Sequence, residues 1–332
     1  METSHILVTG SSGYIAGYLI PHLKSRGYKV TGIDRRLPAH NHVDMFIHGD
    51  LFDRNALRRA LETVDTVFHL AAAKDDFGIS HDQYFRDNFE ATRILVEEGK
   101  QRDIKKWLFL STVAAMGPSE TPMDEQAALN PSHPYGISKA KAETLFHQLW
   151  TEAPANHILI IRPSVVYGID NYPTTNIYRL IDAIYRNRFF MIGDGRVFKS
   201  TSYIENLIAA ILFLLDQPRP SIQTYIYIDE PVLQTAELVE KIYRYFQKAQ
   251  PHWSLPLWFV KPLASVFDAL AAVSGINFTI TASRIEKFCT PTNFDASAIR
   301  QLGFQQPVSN EDALRTIIGW YLSCKQSGGV LI

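Results

Sequence analysis

Cysteine is nearly absent. The 332-residue chain carries only Cys289 and Cys324, too few for a disulfide framework, which fits a reducing compartment. An excess of charge is missing too: 33 Lys and Arg stand against 34 Asp and Glu, a net charge of -1 with neutral histidines. A dedicated nucleic-acid binder, which carries a basic excess or patch, is therefore not expected. No uninterrupted apolar run reaches the ~20 residues of a bilayer span. The most apolar helix candidate, Ile204 to Leu215, contains Glu205 and Asn206. Near the N-terminus, Ile6-Leu7-Val8 is broken by Thr9-Gly10, whereas a signal-peptide core needs ~7–15 apolar residues. A cytoplasmic protein is expected. The 11 histidines form no His-x-x-x-His or similar cluster, so no metal site is expected.

What is present suits a globular protein. Hydrophobic residues make up 46% and charged residues 20%, which excludes disorder as the main state. At ~150 residues per domain the length suggests about two domains. The apolar stretch Trp253 to Val273 is interrupted by Pro256, Lys261, Pro262 and Asp268. It reads as core or as a lid over an apolar site, with attachment to a membrane surface as a further reading.

The first half of the chain alternates. Strands are expected at His5–Thr9, Lys29–Asp34, Met45–His48, Thr66–Leu70, Trp107–Leu110 and His157–Ile161. Helices are expected at Tyr14–Arg26, Asp53–Leu61 (capped by Asp53), Ser80–Gln101 and Pro134–Trp150. Strands separated by helices of this length imply a parallel, doubly wound α/β sheet. After Gly168 the rhythm changes. Asn171–Thr175 is a turn-rich connection, Ile177–Arg188 looks helical, and Gly193-Asp194-Gly195 is a tight turn. Ile204–Leu215 is a buried helix, Tyr225–Ile228 one more strand, and Asp312–Leu322 a final helix.

Between the first strand and helix lies Thr9-Gly10-Ser11-Ser12-Gly13-Tyr14-Ile15-Ala16. Small residues there let backbone N–H groups approach a pyrophosphate at the helix N-terminus. Asp34, about 20 residues on, ends the second strand. A carboxylate at that place accepts hydrogen bonds from an adenosine ribose and repels a 2′-phosphate, so NAD is expected over NADP. Arg35 and Arg36 could instead pair with a 2′-phosphate, or form a solvated loop.

Tyr135 and Lys139 are four apart near a helix start, so they share one face. An ammonium beside a phenol stabilises the phenolate and draws its pKa down from about 10. That makes a general base for a hydroxyl proton while hydride leaves the same carbon. Ser111 and Thr112, at the end of the preceding strand, are placed to hold the substrate oxygen.

These residues in this order resemble the extended short-chain dehydrogenase/reductase family, in its NAD-dependent epimerase/dehydratase branch. The resemblance runs from Ile6 to about Tyr321. It implies a Rossmann domain over 1–168, with 203–228 returning to it, and a mainly substrate-binding domain over 169–332. It also implies a homodimer through Ser80–Gln101 and Pro134–Trp150. Gly10, Gly13, Tyr14 and Ile15 match the family's pyrophosphate motif, and Asp50 with Leu51 the segment beside the adenine. His69-Leu70-Ala71-Ala72-Ala73-Lys74 resembles the fourth-strand motif. Lys74 matches a lysine that lies on the cofactor ribose in UDP-glucose 4-epimerases. Asn88 with Thr92 is similar to the Asn-x-x-Gly-Thr motif, and Pro163 and Val165 fall in the Arg-Pro-x-x-Val-Tyr-Gly element near the nicotinamide. Counting back from Gly117, the resemblance places the catalytic hydroxyl on Thr112.

Val113 and Ala114 replace the Asp-Glu pair of 4,6-dehydratases, so dehydration is not expected. Met116 stands for a tyrosine, which predicts a different substrate-side wall. Lys199 stands for a phosphate-gripping arginine and neutralises phosphate without a bidentate grip. Arg196 is expected beside it. The leading expectation is an NAD-dependent nucleotide-sugar epimerase working at C4 through a 4-keto intermediate. Its catalytic set would be Thr112, Tyr135 and Lys139, with Tyr135 and Lys139 also binding the cofactor (Lys139 on the nicotinamide ribose), and its substrate contacts Thr112, Tyr135, Arg196 and Lys199. The alternative is an NAD(P)-dependent oxidoreductase, either a 4-keto-sugar reductase or a 3β-hydroxysteroid-type dehydrogenase acting on an apolar alcohol. A non-catalytic dinucleotide-binding regulator would have no need of the complete Thr112, Tyr135 and Lys139 set.

Overall fold

The computed structural model describes residues 4–39, 42–74, 78–170, 175–217, 221–251, 253–260, 285 and 288–326. Most of the apolar stretch 253–273 and of the connection 171–175 lies outside them.

Seven apolar runs form one sheet: β1 (His5–Thr9), β2 (Lys29–Asp34), β3 (Met45–His48), β4 (Thr66–His69), β5 (Lys106–Leu110), β6 (His157–Pro163) and β7 (Ile222–Tyr227). All pair in parallel, in the order β7-β6-β5-β4-β1-β2-β3. The doubly wound expectation is borne out. The strands are buried because alternate side chains enter two separate cores. Ile6, Val8, Leu108, Leu159 and Ile161 pack with α1 (Tyr14–Ser25) on one face. Leu7, Val67, Trp107, Phe109, Ile158 and Ile160 pack on the other with α2 (Arg54–Ala60) and with the helices described next.

The single helix expected over Ser80–Gln101 is three pieces: α3 (His81–Tyr84), a π-helical stretch Phe85–Glu90, and α4 (Ala91–Lys100). The wider π turn brings Asp87 and Asn88 inward, where both are buried. Next comes α5 (Pro134–Glu152). Its Phe146 stacks on Phe109 at 4.7 Å and meets Trp107 edge-on at 5.9 Å between centroids.

The later helices are α6 (Asn176–Tyr185), α7 (Ile204–Leu215), α8 (Thr235–Tyr245) and α9 (Asn310–Gln326). Helix α7 packs on the α1 side, and the strand after it, β7, extends the main sheet along β6. A second, smaller sheet joins Leu233–Gln234, Phe198–Lys199, Thr292–Phe294 and Ser119–Met123.

Phe146 is fully buried between α5 and the sheet. Phe146→Ala is expected to cost about 3–5 kcal/mol, the usual loss for a buried aromatic. Denaturant unfolding measures it, and a loss under about 1 kcal/mol would contradict this packing.

Candidate active site

From β1 the chain runs outward through β2 to β3, then returns to β4 and runs the other way. At that reversal the connecting segments part beyond the strand ends, where doubly wound sheets hold ligands. A cleft of about 1900 Å³ opens there.

Its first wall is the glycine turn. Gly10 has φ +70°, and a Cβ on it would lie 2.8 Å from the Cα and N of Ala71, so no side chain fits. The turn thereby sits against Leu70, Ala71 and Ala72 at the end of β4, and all four residues line the cleft. Gly13 precedes α1, which has no side-chain cap and no acid in its first turn. The first amides of α1 are thus available to an anion. Tyr14 and Ile15 also line the cleft, and the Tyr14 hydroxyl donates to the Ile169 carbonyl at 2.8 Å. Asp34 lies at the end of β2 and accepts from the amides of Ser12 (3.1 Å) and Arg36 (2.8 Å). Arg35 faces two carboxylates, Asp87 at 3.1 Å and Asp50 at 3.6 Å, so its charge is already met. Arg36 points to solvent, 4.0 Å from Asp34. Asp50, Leu51, Lys74, Pro163 and Val165 complete this part of the lining.

The second wall joins β5 to α5. Thr112 and Tyr135 both line the cleft. What brings them together is a missing side chain. A Cβ on Gly136 would fall 2.2 Å from the Ala114 carbonyl oxygen, so the first turn of α5 can press on the short turn that Thr112 caps. The Thr112 oxygen accepts from the Ala114 amide at 3.1 Å and keeps its own proton to donate. The Ser111 hydroxyl donates instead to the buried Glu143 carboxylate. The geometry therefore separates the two hydroxyls.

Lys139 lies one turn beyond Tyr135 and is buried behind the wall, not in the cleft lining. Its ammonium sits 4.0 Å from the centre of the Phe109 ring. Burial lowers its pKa to about 7, against a smaller upward pull from Glu143. Glu143 also takes two hydrogen bonds from Arg162, at 3.0 and 2.6 Å. This buried group of Ser111, Glu143 and Arg162 was not among the sequence expectations. The signal was there, since Glu143 is four residues after Lys139 on the same helix face.

Three residues named from the sequence lie outside the cleft lining. Asn88 does not line the cleft. Its side chain bonds the amide and carbonyl of Ala73 (2.7 and 2.9 Å) and the Ser138 hydroxyl (2.9 Å), because the π turn directs it inward. Arg196 also lies outside the lining. It is exposed and turned toward Asp194 at 3.8 Å, and that carboxylate also accepts from the Arg196 amide. Met116 is buried in the core, so no side chain at this position reaches the cleft and the wall differs there.

Lys199 does line the cleft and donates to the Thr290 carbonyl. Burial lowers its pKa to about 8. Three cations missed in the sequence, Arg179, Arg186 and Arg188, join it from α6 and the following loop. Arg179 and Arg186 are seven residues apart, or about two helical turns.

The family model that matches, over residues 6–227, is the NAD dependent epimerase/dehydratase family. A relative from Escherichia coli O157:H7, N-acetyl-alpha-D-glucosaminyl-diphospho-ditrans,octacis-undecaprenol 4-epimerase, is 29% identical over 311 residues, covering 93% of each chain. Human dTDP-D-glucose 4,6-dehydratase is 28% identical, over 65% of this chain and 66% of its own. Among solved structures, UDP-glucuronic acid 4-epimerase from Bacillus cereus in complex with NAD superposes with a TM-score of 0.77 at 22% identity, covering 99% of this chain and 100% of that one.

Removing Glu143 would leave Arg162 charged and buried. Glu143→Ala is expected to cost about 3–5 kcal/mol in denaturant unfolding, and a near-neutral result would refute the buried pair. The Lys139 ammonium gives a pH signature. Its pKa is about 7 when folded, against 10.5 for an exposed lysine. Between those values the unfolded chain binds the extra proton, so this lysine makes stability rise with pH. Stability of the native chain relative to Lys139→Met should therefore increase from about pH 7 to about pH 10, and a flat difference would contradict the burial.

Proposed function

This chain belongs to the NAD dependent epimerase/dehydratase family, and we propose that it is an NAD-dependent 4-epimerase of a sugar carried on a diphosphate. A nucleotide sugar is the substrate class expected from the sequence. The observation that carries the reading is the pairing of Thr112 and Tyr135 on one cleft wall, with Lys139 buried one helical turn behind, opposite a glycine turn fit for a dinucleotide. The E. coli relative is named for a sugar on a diphospho-undecaprenol, and the B. cereus protein for a sugar on UDP. What they share is a sugar on a diphosphate. Dehydration is disfavoured because Val113 and Ala114 follow Thr112 and supply no carboxylate for removing water.

The residues fit NAD. Gly10 and Gly13 with Tyr14 and Ile15 would hold the pyrophosphate, and Asp34 the adenosine ribose. Asp50 and Leu51 would lie by the adenine, Leu70, Ala71, Ala72 and Lys74 along the ribose side, and Pro163 and Val165 by the nicotinamide. NAD is favoured over NADP because the Asp34 carboxylate would repel a 2′-phosphate and Arg35 is already engaged by Asp50 and Asp87. NAD would supply the hydride acceptor and donor. Asn88 would act behind the site, steadying Ala73 and α5.

Tyr135 would take the proton from the C4 hydroxyl while Thr112 holds that oxygen. Lys139 favours the phenolate electrostatically. The keto-sugar turns over within the cleft, and Tyr135 returns the proton once C4 has been reduced from the other face, so the cycle is redox-neutral. Lys199 and Arg179 would neutralise the diphosphate.

The same reading takes 1–168 with 203–228 as the dinucleotide domain and 169–332 as mainly the substrate domain. It places a homodimer in the cytoplasm, joined through α3, α4 and α5. Exposed Ile137 on α5 and half-buried Phe85 and Phe89 on the π-helical stretch between α3 and α4 support that interface.

Denaturing the purified protein should release NAD⁺ near one per chain. A panel of diphosphate-linked sugars should yield a C4 epimer with no net absorbance change. Exchangeable NADPH consumed in step with product would instead mean a reductase. Tyr135→Phe should lower turnover by about 10²–10⁴ with NAD content unchanged, and full activity in that variant would remove Tyr135 as the base.

A further inference from the structure

Exposed large apolar side chains on a soluble surface are usually scattered. Here four fall within seven residues: Trp253 (58% exposed), Leu257, Trp258 (76%) and Phe259 (48%). They are held firmly from beneath. Trp253 stacks on Phe190 with ring centroids 6.5 Å apart and planes at 13°. The Ser254–Leu255 strand pairs with Met191–Ile192. Val260 turns inward and is buried with Ile285, while Leu257, Trp258 and Phe259 stay outside. Phe190, Ile192 and Ile285 also line the cleft, so the apolar patch continues its far rim.

Cations flank the patch. Phe190 follows Arg186 and Arg188 in the loop after α6. Lys248 is tied to that loop through the Tyr185 carbonyl and the Asn187 side chain at 2.9 Å. Two carboxylates on the neighbouring segments are matched: Asp182 faces Arg186 at 2.9 Å and Asp194 faces Arg196 at 3.8 Å. Arg188 and Lys248 pair with no carboxylate among the described residues, which leaves the rim positive.

Exposed indole and phenyl rings bordered by unmatched cations suit the boundary between lipid headgroups and acyl chains. We propose that the Trp253–Phe259 rim seats the protein on an anionic lipid bilayer, with the far end of the cleft turned toward the membrane. A bilayer surface fits an outward-facing patch, and its phosphates complement Arg188 and Lys248. The proposal stands apart from the reaction assigned above and survives if that assignment fails.

The test is co-sedimentation of the full chain with phosphatidylcholine vesicles, with and without phosphatidylglycerol, alongside tryptophan emission. Binding should need phosphatidylglycerol, weaken with salt and shift the emission to the blue. The double variant Trp258→Ser/Phe259→Ser should bind roughly tenfold more weakly or worse, and Arg188→Ala about fivefold. Leu37→Ser removes a residue that is 70% exposed at another place and should bind as the native chain does. Circular dichroism of each variant checks that it is folded. Absence of vesicle binding, or equal binding by the folded double variant, would overturn the proposal. So would a dimer that dissociates in the double variant without any lipid dependence, since a second copy would then be the occupant.

Discussion

The reversal of chain direction between β1 and β4 is the constraint from which the site follows. Two neighbouring strands lead their chains to opposite sides, so no helix closes the space beyond their ends. The glycine turn after β1 and the Leu70-Ala71-Ala72 segment after β4 border that gap directly. Gly10 lets them touch, and the gap becomes a cleft with backbone amides on its wall. The opposite wall depends on a similar economy of atoms, because Gly136 admits the Ala114 carbonyl and so brings α5 against the end of β5.

Behind this wall the protein buries charge. Lys139, Glu143 and Arg162 lie within one apolar surround, with Ser111 as a fourth member. Desolvation of such groups is expensive, and hydrophobic replacements of similar volume are often as stable. Their arrangement makes sense as positioning. Glu143 fixes Arg162 and Ser111, leaving Thr112 as the hydroxyl at the cleft, and offsets part of the burial cost felt by Lys139. Asn88 adds a third tie, from the π turn to Ser138 in the turn between Tyr135 and Lys139.

Features set by local spacing were legible in the sequence. The seven strands, the caps, the Tyr135–Lys139 face and the Asp34 position all follow from neighbours a few residues apart. Asp53 does cap α2 through the Asn55 and Ala56 amides. What escaped was decided by contacts across long separations. A helix pattern cannot announce a π turn whose inward side chain finds its partner in the backbone of Ala73, fifteen residues from Asn88. Arg196 and Lys199 look equivalent in sequence, yet Asp194 turns one outward while the small sheet holds the other inward. Met116 has a cleft-side neighbour in Gly117 but its own side chain packs into the core. Glu143 drew no expectation, because its partners Arg162 and Ser111 lie 19 and 32 residues away.

The return of β7 to the main sheet has a kinetic side. β6 ends at Pro163 and β7 begins at Ile222, so a long segment must be made before its partner strand exists. Until then β6 is an open edge whose middle, Ile158 to Ile161, is wholly apolar, the kind of template that invites wrong pairing. Contacts so distant along the chain slow folding, because loop closure precedes their reward. During synthesis the dinucleotide half of the sheet can assemble from β1 to β6, while its last edge waits for the segment that also builds the far side of the cleft. Folding and completion of the site are thereby one late event.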